Sequence, residues 1–535
     1  PAARQVLLCD TWHQGYDWSG GSQSLVAPRW PSPPAKAGER AFRRQDVLQH
    51  DGRDGSVWVT YRDGVYDVTE YLNEHPGGKL LLQAAGGPVD GWWSYWAQHH
   101  LSADVYRALE ALRIGHLEDY EPEEDEGRQG RGVWEQEQAA AGRKESRKEG
   151  AVLSEIPFQT ETCCAELCED FLTSKGRLFV RNHAPVPTVE SAAEHLVTFA
   201  SAEDEVDISL EELLGRFPRQ CIISTLQCTG NRAADSIAAN GHASSGFVGG
   251  DSEYIGVGML GNASWSGLRL DDVLRAMFPC LHSLVETNIQ ELHVTLEGLD
   301  GFYTSIPLSI ALDQRADCLL ATEMNGEHLT PDHGFPLRAL LPGLAGARNV
   351  KWLTKISLGK ESDSPWTIRY YRDKETEMPI YKLPMNSVIL SPVPGAWVDA
   401  RCPAVAVEGV AYPAASLSQI LRVELSADRG KSWQEATCRF AEIPEDNRRG
   451  PCKSWVRFHA NVNLPPCSSG VAGSGKITGA PLTEIWCRAI DDAGNVQPAT
   501  SGPHGGYMYN GYHRVPLVRS LDHPPFAVPG ESASK

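Results

Sequence analysis

Of the 13 cysteines in the chain, Cys228 has the most unusual setting, in Thr-Leu-Gln-Cys-Thr-Gly-Asn-Arg at the mouth of a turn. Such a thiol can be a core residue, a redox sensor, a nucleophile or a metal ligand. Gly230, Asn231 and Arg232 signal a partly exposed loop with a cation nearby, which favours the thiolate. A soft thiolate suits a thiophilic metal. Zinc would need further protein ligands, and no Cys-x-x-Cys or neighbouring His supplies a set of four. What fits is a metal whose remaining ligands come from an organic cofactor. The run Cys-Cys-Ala-Glu-Leu-Cys at 163–168 has metal-like residues, but its helical context predicts a buried helix face instead.

Two histidines form a second candidate site. His75 opens His-Pro-Gly-Gly, where Pro76 sets the chain direction and Gly77 and Gly78 permit a tight turn beside a flat ligand. His99 lies 24 positions on, in the aromatic-rich Trp-Trp-Ser-Tyr-Trp-Ala-Gln-His-His. Two imidazoles on opposite walls of an apolar pocket can hold a haem iron with no open position, which suits electron transfer. The alternative is a pair of surface histidines near turns.

The elements that must carry these residues divide the chain. Residues 1–40 mix Trp, Gly, Ser and Pro without helical or strand period, and are expected to be irregular. Residues 41–118 read as a compact unit: a helix starting near Ala41, then two short strands around an Asp-Gly turn. Residues 119–150 are charged, Gln, Gly or Ala, with too little apolar material for a core, and read as a flexible linker. Residues 151–384 alternate short apolar segments with Gly and Pro loops, as in a mixed α+β domain. From 385 to 520 short alternating strands dominate, as in a β-sandwich, and 521–535 form a tail.

At 535 residues the chain is too long for one core, and 41% hydrophobic with 22% charged residues is a globular composition. A formal charge of −20 argues against nucleic acid or an anionic membrane as partner and suits a basic protein partner. The cysteines show no repeated spacing, so most are expected to be reduced, buried thiols. No run approaches the roughly 18 apolar residues of a membrane span.

The segment Val57–Gly87, with Arg107–Leu117, resembles the cytochrome b5 domain, in the variety found in animal sulfite oxidases. The resemblance implies a small α+β haem domain binding haem b through axial His75 and His99, with the adjacent His100 as the alternative to His99. Four further motifs resemble, in family order, the molybdenum-cofactor domain of the sulfite oxidase family: LFVRNHAPVPTVE, TLQCTGNR, LEGLDGFYTSIP and EMNGEHLTPDHGFPLRALLPGLAGARNVKWL. They imply that Cys228 gives molybdenum its one protein sulfur beside the molybdopterin dithiolene. Arg338 and Lys351 match residues on the phosphate side of the pterin, and His183, Asp300, Ser305 and His333 match positions that contact it. Arg181 matches the arginine that reaches the substrate side of the metal, and Tyr371 the active-site tyrosine of a Trp-x-x-x-Asp-Tyr-Lys segment in which Tyr370 replaces Asp.

The match departs from the family at several positions. Ala233 stands where the family commonly has a substrate arginine, the pocket tryptophan falls near Tyr254 or Ile255, and an arginine from the C-terminal domain corresponds to Lys453 or Arg457. The C-terminal strands resemble the immunoglobulin-like dimerisation domain of the same family. The domain order implies a homodimeric, mitochondrial intermembrane-space enzyme that oxidises sulfite and passes electrons through the haem to cytochrome c. The linker would let the haem domain move between the two. Two alternatives are a related molybdenum enzyme acting on another oxyanion or an S- or N-oxide, as nitrate reductase does, and a b5 electron carrier on a degenerate scaffold.

Overall fold

A computed structural model of the chain describes residues 38–120 and 151–520, except 53–54, 74, 76–80, 83, 96–98, 100–102, 156–157, 183–185, 241–254, 280, 282–288, 290, 365, 374–375, 415–417, 441–446, 467–481 and 503–506. The expected linker, apart from its first two residues, and all but the last three residues of the N-terminal segment expected to be irregular lie outside the described residues, as does the C-terminal tail. The chain forms two compact units. One takes the described residues up to Glu70 with those of Ala84–Gly130, and the other takes those of Tyr71–Gln83 with those from Arg131 onward.

In the first unit, Trp58–Tyr61 and Gly64–Asp67 pair as the expected antiparallel hairpin, with Arg62 at a left-handed φ of +52° in the turn. Gly64 is required there, because a Cβ would collide with the buried Tyr66 ring. The sheet order is Arg40–Phe42, Arg113–Leu117, Gly64–Asp67, Trp58–Tyr61, Gly87–Pro88. The expected helix near Ala41 begins only at Arg44 and runs to Leu48, since Arg40–Phe42 is first captured as a strand parallel to Gly115–Leu117. Phe42, Val47, Val65 and Leu117 close the core beneath it.

The second unit is built on sheets with short helices between them. Strands Glu205–Ser209, Leu196–Ala200, Leu353–Gly359, His293–Gly298 and Tyr303–Pro307 form one sheet. Arg219–Gln227, Leu260–Arg269, Leu319–Met324 and Glu327–His328 form another, with Arg338–Leu340 paired to Leu319–Met324. Helix Leu270–Met277 shows why its sequence folds this way: Leu270, Val273 and Leu274 recur at helical spacing and are buried against the first of these sheets, while Asp271 and Asp272 occupy its first turn. Helix Leu210–Arg216 starts at Ser209, whose hydroxyl accepts from the Glu212 amide at 3.1 Å.

From Asn386 the chain makes the expected two-sheet sandwich. One sheet runs Asn386–Ser391, Ala404–Tyr412, Val456–Asn463, Thr437–Arg439, and the other Trp397–Asp399, His513–Ser520, Leu482–Asp491, Ile420–Ser426, Gln434–Glu435. Ile389, Val407, Val423, Phe458, Ile485 and Val515 fill the space between them. The architecture is the expected multidomain α+β arrangement with an all-β C-terminal part. No helix among the described residues is long and apolar enough to cross a membrane.

The described cysteines are free thiols, but only Cys318 and Cys487 of them are fully buried, fewer than expected. Cys163–Cys168 does form a helix end and helix, with Leu167 buried and Cys164 and Cys168 packed beside Trp455 and Leu260.

Candidate functional site

Cys228 follows the last residue of a nine-residue strand, Arg219–Gln227, paired antiparallel with Leu260–Arg269. Its own amide donates to Met259 O at 2.9 Å, which extends the ladder by one rung before the chain turns. The Gly230 amide approaches its sulfur at 3.4 Å, and helix Ala233–Asn240 begins immediately beyond. The thiol is thus held at a rigid strand end, half-buried, with a backbone donor aimed at it.

The cation beside it is not the one adjacent in sequence. Arg232 is fully buried and turned away: Nε bonds Asp235 at 2.8 Å, and one terminal nitrogen bonds Asn386 Oδ1 at 2.8 Å and Gly511 O at 2.7 Å. It ties the loop to the C-terminal sandwich. Burial pushes the Cys228 thiol up, while the Arg181 charge and the Gly230 amide pull it down. The expectation that Arg232 favours the thiolate is therefore corrected; Arg181, delivered from another strand, exerts that pull.

An open cleft surrounds the thiol, and its walls include Arg181, Cys228, Asp300, His333, Arg338, Lys351 and Tyr371. Arg181 ends the short strand Val180–Arg181, paired to Gln159. Asp300 sits in the turn between His293–Gly298 and Tyr303–Pro307, where it accepts from the Phe302 amide at 3.2 Å. Burial raises its carboxyl to about 6 against the opposing pull of Phe302 and Lys351. His333 donates from Nε2 to Lys175 O at 3.0 Å, because a carbonyl can only accept. Arg338, fully buried, donates to His333 O at 3.0 Å and Asn349 O at 3.3 Å, and burial lowers it to about 10. Lys351 Nζ contacts Asn182 Oδ1, Asp332 O at 3.0 Å and Arg181 O at 3.3 Å. Burial holds the Tyr371 hydroxyl up at about 12.

Other expected residues lie elsewhere. Ser305 does not line the cleft; its buried hydroxyl accepts from the Ser362 amide at 2.9 Å and meets His293 Nδ1 at 3.2 Å. Lys453 donates to Ala414 O at 3.3 Å, and Arg457 bonds Cys168 O, so neither is a cleft cation. Ala233 and Ile255 are buried in the apolar cluster beneath the loop. His183, Tyr254 and His100 lie outside the described residues. Asn182, Asp332, Trp352 and Trp366 line the cleft without having been expected to. Trp366 was visible as the first residue of WTIRYY. Tyr507 had no motif to reveal it, yet its ring lies 5.7 Å from that of Tyr371, and the Met508 amide donates to Thr229 O at 2.9 Å.

For the histidine pair, His75 donates its amide to Tyr71 O at 2.8 Å with the Tyr71 ring 5.7 Å away. His99 stacks on Trp93 at 5.3 Å and 18°.

The cleft suits a thiolate-held metal with an anionic organic ligand. Cys228 supplies a soft donor, Arg181, Arg338 and Lys351 supply charge, and the buried Thr229 hydroxyl has no hydrogen-bond partner among the described residues.

Three family models match the chain. These are the oxidoreductase molybdopterin binding domain over residues 183–366, the Mo-co oxidoreductase dimerisation domain over 377–520, and the cytochrome b5-like heme/steroid binding domain over 43–118. The chain is 34% identical over 502 residues to the mitochondrial sulfite oxidase of Drosophila melanogaster, covering 89% of this chain and 80% of that one. It is 33% identical over 509 residues to that of Homo sapiens, covering 90% and 85%. Among solved structures, the sulfane dehydrogenase SoxCD of Paracoccus pantotrophus shares the fold at a TM-score of 0.51 and 23% identity, over 68% of this chain and 84% of that one.

Proposed function

Because the chain belongs to the sulfite oxidase family, as a molybdopterin and haem oxidoreductase, we propose that it oxidises sulfite to sulfate and passes the electrons singly to cytochrome c. The observation that carries this reading is the convergence of Cys228, Arg181 and Tyr371 on one cleft with Arg338 and Lys351. The bound molybdenum cofactor supplies two-electron oxygen-atom chemistry, and the haem supplies one-electron transfer.

The protein's own residues have separate tasks. Cys228 would hold the metal, with Arg338 and Lys351 countering the pterin phosphate, and Asp300 and His333 meeting its polar edges. Arg181 draws the oxyanion into an otherwise acidic molecule. The Tyr371 hydroxyl, kept protonated, donates a hydrogen bond on the substrate side. His75 and His99 would hold the haem iron. The acidic net charge supports a basic acceptor such as cytochrome c. The match to a dimerisation domain supports a homodimer, and the relatives named mitochondrial support a mitochondrial compartment, within which the intermembrane space is our proposal.

Anaerobic addition of sulfite to purified protein containing both cofactors tests this reading. The haem Soret band should shift to the reduced form, and C228S should abolish that response while dithionite still reduces the haem. No reduction by sulfite in a molybdenum-loaded wild-type protein would overturn sulfite as the substrate.

A further inference from the structure

We propose that Arg348 is a positioning residue that sets Tyr371 opposite Cys228, acting through the single turn Gly346–Arg348. This inference rests on the reading of Tyr371 as the substrate-side tyrosine. The turn touches both partners. At its first residue, a Cβ on Gly346 would stand 3.1 Å from Cys228 Cα and 2.6 Å from Gln227 O, so its backbone lies directly on that of the thiol.

At its last residue the turn reaches the tyrosine. The Arg348 guanidinium is fully buried and spreads its donors over three segments. Nε donates to Ile380 O at 2.9 Å, one terminal nitrogen bonds Thr304 Oγ1 and Thr367 Oγ1 (3.1 Å), and the other reaches Tyr371 O at 3.4 Å. The Tyr381 ring lies 4.8 Å from the same group. Tyr371 itself closes the turn Trp366–Tyr370, donating to Trp366 O at 2.8 Å and accepting from the Ile380 amide at 2.9 Å. Its carbonyl is therefore held jointly by Ile380 and Arg348.

The chemistry of the arginine explains its presence. Each of these hydrogen-bond acceptors is a neutral oxygen, so no carboxylate compensates the cation directly, and burial lowers its pKa to about 10. A buried cation with such partners is costly to stability. What it provides in return is a rigid planar fork that joins strand Tyr303–Pro307 to the Tyr371 turn. A lysine ammonium, with three donors around one point, cannot span the same acceptors.

The test uses the full-length protein carrying R348K, Y371F and both together, with T367A as a milder variant that removes one tie and leaves the buried cation in place. For R348K, kcat with sulfite should fall about 10- to 100-fold with KM nearly unchanged, because misplacement costs rate more than binding. In the Y371F background R348K should add less than about 2-fold, since the two act as a unit. T367A should show the same pattern at smaller size, so a misfolded R348K still leaves the question decidable. Hydrogen exchange of peptides 366–373 and 376–381 should quicken in R348K and T367A with molybdenum and haem contents unchanged. Equal losses from R348K in both backgrounds, or unaltered exchange at these peptides, would overturn the proposal. A wild type that does not oxidise sulfite would refute the proposed function instead, and the exchange measurement would still decide the clamp.

Discussion

Arg181 and Arg232 divide between them what adjacency in sequence would assign to one residue. Arg232, four positions from the thiol, is a buried tie to the sandwich, while Arg181 arrives from a separate strand to line the cleft. Replacing Arg181 with Gln should remove a charge-assisted contact to the oxyanion and lower kcat/KM for sulfite about 10- to 100-fold, chiefly through KM. Steady-state kinetics over a range of sulfite concentrations would show it, and an unchanged KM would remove Arg181 from the substrate side. His75 and His99 are tested more simply. Alanine at either position should abolish the Soret band while molybdenum content is retained. A haem-replete H99A protein would shift the ligand to His100.

The elements that deliver the site are ordinary in their local rules. The strand before Cys228 carries the apolar run Cys-Ile-Ile-Ser-Thr-Leu, and the helix after it small residues following a Gly-Asn turn. What joins them to the rest was not legible. Arg232 bonds Asn386 and Gly511, residues 154 and 279 positions away, and no local pattern encodes such partners. R232M should strip one donor from each of those buried acceptors, which keep Gln497 Nε2, and break the ion pair with Asp235, at a cost of about 3 kcal/mol of stability. Urea denaturation followed by tryptophan fluorescence would measure it. A loss below about 1 kcal/mol would mean that water or local rearrangement replaces the arginine.

Across the molecule, acid stability should depend on His513, which links the two sheets of the sandwich. Its Nδ1 accepts from the Ile389 amide at 2.9 Å, so the neutral ring carries its proton on Nε2, which faces Asp235 at 3.9 Å. Burial lowers its pKa to about 4; Asp235 opposes that shift and Arg232 reinforces it. A base whose folded pKa is depressed contributes fully above its ordinary value of 6.5, and that contribution is lost as pH falls from there toward 4. The loss should approach roughly 3 kcal/mol. H513N keeps an acceptor for Ile389 without a titrating ring, so its urea midpoint should fall less than wild type between pH 7 and 4.5. Equal falls would assign the acid sensitivity to other groups.

Chemistry and fold class were readable in the amino-acid sequence alone: the thiol in its turn, the histidines beside glycine and aromatic runs, the hairpin, and the sandwich strands. These rest on interactions between near neighbours, which spacing and residue type express directly. The assembly of the cleft was not readable. Which arginine faces Cys228, that Ser305 and Lys453 face elsewhere, that Tyr507 packs on Tyr371, and that Arg348 braces the tyrosine all depend on strands and turns far apart in sequence. Such contacts form only when separate segments are packed to van der Waals distance, and buried polar groups must then take whatever partners that packing brings within reach.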